Sequence, residues 1–186
     1  MPRIPLVDPA AMTPEQRRVY EAVVAGPRGE LRGPLRAALH RPDLADKWHQ
    51  FGELLRFRTS LPPLLSELAI LVTARACNCQ VEWYIHEMMA RKADLAAAVI
   101  DDLRVGRRPS ALDADELVIY EYADALNRTK HVPEAIYRRA LDRWDVVGVV
   151  ELTALIGYYT MVAMTLNAHE IPLPDGAVPP LEPVAA

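Results

Sequence analysis

Cys79, Glu82 and His86 are the residues whose types and spacing most readily suggest chemistry. Steps of three and four residues would place their side chains on one face of a helix. A carboxylate four residues before a histidine can orient the imidazole and hold its proton, as general acid-base catalysis requires. The same pair on a solvent-facing helix would be only a weak surface contact. The spacing therefore leaves a catalytic and a structural interpretation open.

The cysteine of this group is expected to be reactive. Asn78 is predicted to cap the helix, which would put Cys79 in its first turn, where free N–H groups and the helix dipole favour a thiolate. Cys77 and Cys79 would point about 200° apart on a continuous helix, so a disulfide between them would need a break at Asn78. The alternative is that both are small apolar residues of the core.

A mixed metal site built on Cys79, Glu82, His86 and His169 is a third interpretation of this region. The zinc-protease pattern His-Glu-x-x-His fails, because the run that starts at His86 ends in Ala90 instead of a second histidine. We therefore predict no metal ligands and no cofactor.

The elements that must position these residues are predicted to be helices. No proline occurs between residues 64 and 108 or between residues 134 and 171, so both stretches can be helical throughout. Capping patterns and apolar residues at helical spacing predict an all-α bundle of about eight helices. The predicted helices start near Pro14, Pro42, Leu64, Cys79, Asp94, Asp113, Pro133 and Val146. Residues 26–34, rich in glycine and proline, form a loop that could shape a pocket.

Residues 146–166 form the most apolar segment, with Glu151 as the only charge, and are long enough to span a membrane. Two glycines, three threonines, two adjacent tyrosines and the lack of a basic flank argue against a membrane span. We therefore interpret the segment as the buried helix of a larger assembly and predict no membrane partner.

Other polar residues could complete a site. Glu67 lies among apolar neighbours, and a buried carboxylate needs a partner, so it could fold back as a proton relay towards the face that carries His86. Arginines before a proline pair could anchor a substrate carboxylate, although a solvated charged turn is the alternative. Polar groups at the end of the apolar helix suggest a pocket wall. The predicted substrate-binding residues are Arg56, Arg58, Tyr158, Asn167 and His169.

Composition narrows the class of protein further. The chain has 186 residues, long enough for one domain with its own core, which we place at residues 1–175 before a proline-rich tail at 176–186. A net charge of −4 disfavours a nucleic-acid partner. The sequence contains no phosphate-binding glycine motif and no Gly-x-Ser-x-Gly elbow, which excludes common nucleotide and serine-hydrolase chemistry. Only two cysteines and a start without an apolar signal core predict a cytoplasmic protein.

Eleven residues separate Glu67 from Cys79, two separate Cys79 from Glu82, and three separate Glu82 from His86. This pattern resembles that of the carboxymuconolactone decarboxylase and alkylhydroperoxidase D superfamily. Residues 55–63, 67–75 and 157–168 also look like its larger members, and the resemblance covers about residues 12–175. It implies an all-helical fold, an oligomer and an active site on the fourth predicted helix.

The two branches of this superfamily imply different chemistry. The peroxidase branch uses Cys-x-x-Cys followed three residues later by histidine, with a glutamate upstream; Cys79, His86 and Glu67 are similar to this, but Glu82 takes the place of the second cysteine. The decarboxylase branch looks like Glu-x-x-x-His, which Glu82 and His86 match.

The resemblance thus implies a decarboxylase-like enzyme acting on a small carboxylate or lactone. In it His86 would shuttle a proton, Glu82 would orient His86, and Glu67 would be an auxiliary relay. The first alternative is a thiol peroxidase in which Cys79 attacks and Cys77 resolves. The second is a helical oligomer without catalytic activity that binds a ligand or a metal.

Overall fold

The computed structural model describes residues 2–174 and 176–182, and within these ranges the protein is all-helical without strands. This confirms the predicted fold class. Residues 183–186 of the predicted tail lie outside the described residues. After a 3₁₀ turn at Pro9–Ala11, the helices are α1 (Pro14–Ala25), α2 (Leu35–Ala38), α3 (Pro42–Phe57), α4 (Pro63–Ala76), α5 (Gln80–Lys92), α6 (Ala97–Arg104), α7 (Ala114–Thr129) and α8 (Glu134–Ala168).

Two helix starts follow from capping chemistry that the sequence shows. Thr13 and Gln16 form a capping box at α1, with each side chain bonded to the backbone N–H of the other residue. Asp113 and Glu116 do the same at α7. The predicted cap at Asp94 is wrong, because Asp94 takes a left-handed backbone with φ 65° and α6 starts only three residues later.

The seventh and eighth predicted helices form the single long element α8, which is broken at Asp145 with φ 54° and ψ −169°. The Asp145 side chain accepts hydrogen bonds from the backbone N–H groups of Val147 at 2.7 Å and Gly148 at 3.4 Å. It therefore caps the second half of α8 after the break. The short helix α2 was not predicted. The described residues therefore contain eight α-helices, the predicted number, but α2 takes the place of one of the two predicted helices that merge into α8.

The core lies around α4, which packs against α5, α7 and α8. Helix α8 is the one helix among the described residues that is long and apolar enough to cross a membrane. Half of its most apolar stretch is buried inside the fold, as in the core helix of a globular protein. The rest of this segment leaves an apolar surface, which we call the outer face of α8: Val146, Val147, Val150, Met161 and Met164.

The chain after α8 returns to α5 and is fixed there by Gln80. The side-chain amide of Gln80 donates to the carbonyl of Leu181 and accepts from its N–H, both at 2.9 Å. Arg104 also donates to the carbonyl of Pro180 at 3.4 Å. As a result the Leu181 side chain is 3% exposed and belongs to the core.

Candidate active site

The connection between α4 and α5 sets the position of the candidate residues. Cys77 ends α4, Asn78 takes a left-handed backbone with φ 46°, and Cys79 is the extended residue that precedes α5. The prediction that Asn78 caps α5 is therefore wrong; Asn78 reverses the chain, and its side chain accepts a hydrogen bond from Arg75 at 2.9 Å. Because the connection is so short, α5 folds back directly against α4.

His86 lies between two carboxylates. Its Nδ1 is 2.7 Å from Oε2 of Glu67 on α4, and its Nε2 is 4.0 Å from Oε1 of Glu82 one turn earlier on α5. His86 is 4% exposed and Glu82 is 2% exposed, so the alternative of a solvent-facing surface pair is excluded. The hydrogen-bond partner of the imidazole is Glu67 and not the expected Glu82, because only Glu67 on the neighbouring helix lies within bonding distance.

The imidazole is also held by aromatic packing. The ring of Tyr159 on α8 meets the His86 ring edge to face at 4.8 Å between centroids, and Tyr158 meets Tyr159 in the same way at 5.3 Å. Such contacts restrict the ring orientation of His86 in addition to the Glu67 hydrogen bond.

A cavity of about 110 Å³ lies beside His86. Its walls come from α3, α5 and α8 and from the loop at residues 26–34, as the loop's composition indicated. The lining residues are Arg28, Glu30, Arg32, Gly33, Pro34, Arg56, Glu82, Ile85, His86, Met89, Tyr158, Tyr159, Val162 and Leu166.

Three guanidinium groups line the cavity, those of Arg28, Arg32 and Arg56, and Arg32 is paired with Glu30 of the same wall. Arg28 donates to the Tyr158 hydroxyl at 3.3 Å. Gly52 on α3 makes room for this pair, since a Cβ there would lie 2.0 Å from the Tyr158 hydroxyl oxygen. A cavity with several arginines and few competing acids favours an anionic ligand.

Burial controls the protonation of two groups in the cavity. It raises the pKa of Glu82 well above its usual value, against an opposing effect of Arg56, and so favours the neutral carboxylic acid. Burial likewise raises the pKa of the Tyr159 hydroxyl, which stays a hydrogen-bond donor.

Several polar atoms of the cavity residues are buried without a partner. Within the described part of the chain, Oε2 of Glu82, the hydroxyl of Tyr159 and Nε of Arg28 make no hydrogen bond. A buried polar group without a partner is costly, and such groups concentrated around one cavity are typical of a ligand site.

Residues 42–125 match the carboxymuconolactone decarboxylase family. The protein YnjA of Escherichia coli (strain K12), itself described as uncharacterized, is 30% identical over 126 residues, which are 65% of this chain and 67% of YnjA. The chain belongs to the carboxymuconolactone decarboxylase family. This confirms the resemblance inferred from the spacing of Glu67, Cys79, Glu82 and His86.

Solved structures show that the family fold extends over nearly the whole chain. A peroxidase-related protein of Ralstonia eutropha JMP134, described as an alkylhydroperoxidase AhpD core, has a TM-score of 0.78 and 17% identity, with 94% of this chain and 93% of that chain covered. A peroxidase-related protein of Silicibacter sp. TM1040 has a TM-score of 0.73 and 18% identity, with 89% and 87% covered. At these identities the likeness establishes the AhpD-like helical fold.

The surroundings of Cys79 disfavour the reactive thiolate expected from the sequence. Cys79 is 0% exposed and does not line the cavity. Burial raises the pKa of its thiol to about 12. The helix N-terminus does not produce a thiolate here because the loss of hydration outweighs the dipole.

Three predicted substrate-binding residues lie away from the cavity. Arg58 is an exposed side chain paired with Glu53 at 2.5 Å. Asn167 is exposed and donates to the carbonyl of Cys77 at 2.9 Å, which ties the end of α8 to the α4–α5 connection. His169 ends α8 and likewise contributes nothing to the cavity wall. The cavity does contain the other two, Arg56 and Tyr158.

Sequence reasoning missed the contributions of Arg28, Arg32 and Tyr159. Their signal was present but weak, since the loop was expected to shape a pocket without its arginines being singled out. Tyr159 was considered only as one of two adjacent tyrosines that argue against a membrane span. Among the described residues no three His, Cys, Asp or Glu side chains are arranged to hold a metal ion.

Proposed function

We propose that this protein is a decarboxylase-like enzyme that moves a proton on a small carboxylate or lactone substrate. The observation that carries the proposal is the buried hydrogen bond of 2.7 Å between Glu67 and His86 at the wall of an arginine-lined cavity. A histidine whose one nitrogen is fixed by a carboxylate presents the other nitrogen in a defined direction and protonation state.

The arginines supply the substrate end of the reaction. Arg56, with Arg28 and Arg32 beside it, binds the carboxylate of the substrate by charge-assisted hydrogen bonds. The carbon–carbon bond to that carboxylate then breaks, carbon dioxide leaves, and the electron pair remains on the substrate as a dienolate or carbanion.

His86 completes the reaction by returning a proton. As an imidazolium it donates its Nδ1–H to Glu67, and its Nε2–H is transferred to the carbon that lost carbon dioxide. Glu82, a neutral acid 4.0 Å from Nε2, can then pass a proton from solvent to the imidazole of His86. The net change is the replacement of a carboxylate by a hydrogen, with one proton consumed.

The alternative of a thiol peroxidase has less support from the geometry. Its nucleophile would be Cys79, whose thiol is buried outside the cavity and has a pKa of about 12. The second position of a Cys-x-x-Cys is Glu82, and Cys77 lies on the other side of the turn at Asn78. Both cysteines are free thiols.

Incubation with an unsaturated lactone acid in deuterated water tests the proposal. We expect release of carbon dioxide together with one deuterium atom bound to carbon in the product, measured by mass spectrometry. Cys79→Ala should retain kcat within about twofold, because the thiol takes no part in the proton transfer. The matched control is Cys77→Ala, which removes the other thiol of the same turn. Peroxide reduction that disappears in Cys79→Ala, without any carbon dioxide release, would instead favour the peroxidase.

We also propose that the protein acts as a homo-oligomer joined through the outer face of α8. Val147 and Met164 on this face are 57% and 63% exposed, and the one charged residue of the segment, Glu151, is turned away to bond the backbone N–H of Ser60 at 2.8 Å. An apolar, uncharged helix surface of this kind is typical of a contact between subunits.

Light scattering tests the assembly. We expect a mass that is a multiple of 20.8 kDa, because leaving this apolar face in water is unfavourable. Met164→Asp should shift the mass towards the monomer, whereas Val178→Asp, which changes a residue 78% exposed in the tail, should not. A wild-type protein that is monomeric at high concentration would contradict the assembly.

The proposed setting of the reaction follows from the same chemistry. We place it in the cytoplasm, where two free thiols on one turn, Cys77 and Cys79, stay reduced. The proposed partner is a small molecule and not a nucleic acid, since the protein carries a net charge of −4.

A further inference from the structure

Helix α5 separates two adjacent hollows. One face of the helix carries Glu82 and His86 to the cavity described above. The neighbouring face carries Tyr84 and Met88 to a second hollow of about 410 Å³, which we call the α5 groove. Ile85 lies between the two faces and lines both hollows.

The loop at residues 26–34 forms the rest of the boundary between cavity and groove. Arg32 and Gly33 line both hollows. The Arg32 side chain is 57% exposed and pairs with Glu30, so it is a solvent-accessible group and not part of the packed core. Gly33 has no side chain, and a Cβ at its position would approach only Leu166, at 4.0 Å. The two hollows thus share three lining residues, Arg32, Gly33 and Ile85.

The lining of the groove differs from that of the cavity. It is predominantly apolar, with Leu31, Tyr84, Met88, Ile171 and Leu173 facing it. Its two charged residues are both arginines, Arg32 at the boundary and Arg36. The groove thus complements an apolar chain that is attached to an anionic group.

Size points to the same ligand. The cavity of about 110 Å³ is smaller than the several hundred Å³ usual for small-molecule sites, whereas the groove adds about 410 Å³ next to it. We infer that cavity and groove form one bipartite site for a carboxylic acid that bears an extended apolar chain. The carboxylate lies with Arg56 beside His86, and the chain crosses Ile85 into the groove. The inference rests on the proposed function, which places the carboxylate end in the cavity.

Calorimetric titration with straight-chain saturated acids from butanoate to octanoate tests this inference. We expect the Kd to fall about fourfold for each added methylene group that enters the groove, as burial of a methylene in an apolar site predicts. Met88→Asp should flatten this dependence on chain length, whereas Val105→Asp should leave it steep; the two original residues are 40% and 45% exposed. Arg56→Met should weaken all acids by the same factor.

The outcomes separate this inference from the proposed function, because saturated acids bind without reacting. A Kd independent of chain length in the wild type would overturn the bipartite site and leave decarboxylation untouched. A steep dependence that Met88→Asp does not change would also overturn it, as would a Met88→Asp variant that alters only the oligomeric mass. A steep dependence abolished by Met88→Asp supports the site even in a protein that releases no carbon dioxide.

Discussion

Replacing His86 with alanine is expected to lower kcat/KM for an unsaturated lactone acid by about 10²- to 10⁴-fold, the range that general acid-base groups contribute. The reason is that the variant loses the one imidazole that the described residues place at the cavity wall, while the arginines that hold the carboxylate remain in place. Steady-state kinetics with carbon dioxide detection measure the effect, and circular dichroism should show unchanged helix content.

His49 provides a matched control for this variant. It is 6% exposed on α3 and lies 3.5 Å from a carboxylate oxygen of Asp46, but it does not line the cavity. His49→Ala should therefore lose similar packing and keep its activity. Equal losses in His49→Ala and His86→Ala would show that the effect is structural and would contradict the proton shuttle.

The roles of the two carboxylates are separable in the same assay. Glu67→Gln should lower kcat more than Glu82→Gln, because Glu67 bonds the ring at 2.7 Å whereas Glu82 lies 4.0 Å away. The reverse order would restore Glu82 as the residue that orients His86.

Replacing Glu82 with glutamine is expected to stabilise the protein increasingly as the pH rises. Burial raises the pKa of Glu82 in the folded state well above its usual value of 4.5. Between these two values the unfolded chain releases this proton and the folded protein keeps it, so the free energy of unfolding of the wild type falls with rising pH. A glutamine side chain does not titrate, so the variant does not lose this part of the free energy of unfolding. The difference amounts to at most about 1.4 kcal/mol per pH unit.

Denaturant unfolding from pH 4.5 upwards measures this difference. Glu116→Gln is the matched control, since Glu116 is also buried, at 7% exposure, but its carboxylate accepts a hydrogen bond from the Asp113 N–H at 2.9 Å that glutamine can replace. The free energy of unfolding of Glu116→Gln, plotted against pH, should stay closer to that of the wild type. A Glu82→Gln curve that runs parallel to the wild type over the whole range would mean that Glu82 is ionised in the folded protein.

The fold was largely predictable because local chemistry determines where helices begin. A Thr13–Gln16 or Asp113–Glu116 pair satisfies the free N–H groups of a first turn from within four residues, so the signal is complete in the sequence. Asn78 and Asp94 failed as predicted caps for a different reason. Both side chains also suit a left-handed backbone, and which of the two roles they take depends on how the next helix packs.

The site was only partly predictable, because it depends on contacts between distant segments. Spacing brought Glu82 and His86 onto one face, but the partner of the imidazole comes from α4 through the sharp turn at Asn78. The state of Cys79 depends on burial, which a local pattern of helix start and thiol does not contain. Arg28 reaches the cavity because Tyr158, which lies 130 residues further along the chain, accepts its hydrogen bond.

The anchoring of Leu181 has a practical consequence for handling the protein. A carboxypeptidase that trimmed the chain past this residue would remove a side chain of the interior together with both groups that Gln80 recognises. Gln80 opens α5, the helix that carries His86, so loss of the segment around Leu181 would remove a contact only six residues from the imidazole. Partly cleaved preparations would thus be mixtures in which α5 keeps or lacks this contact.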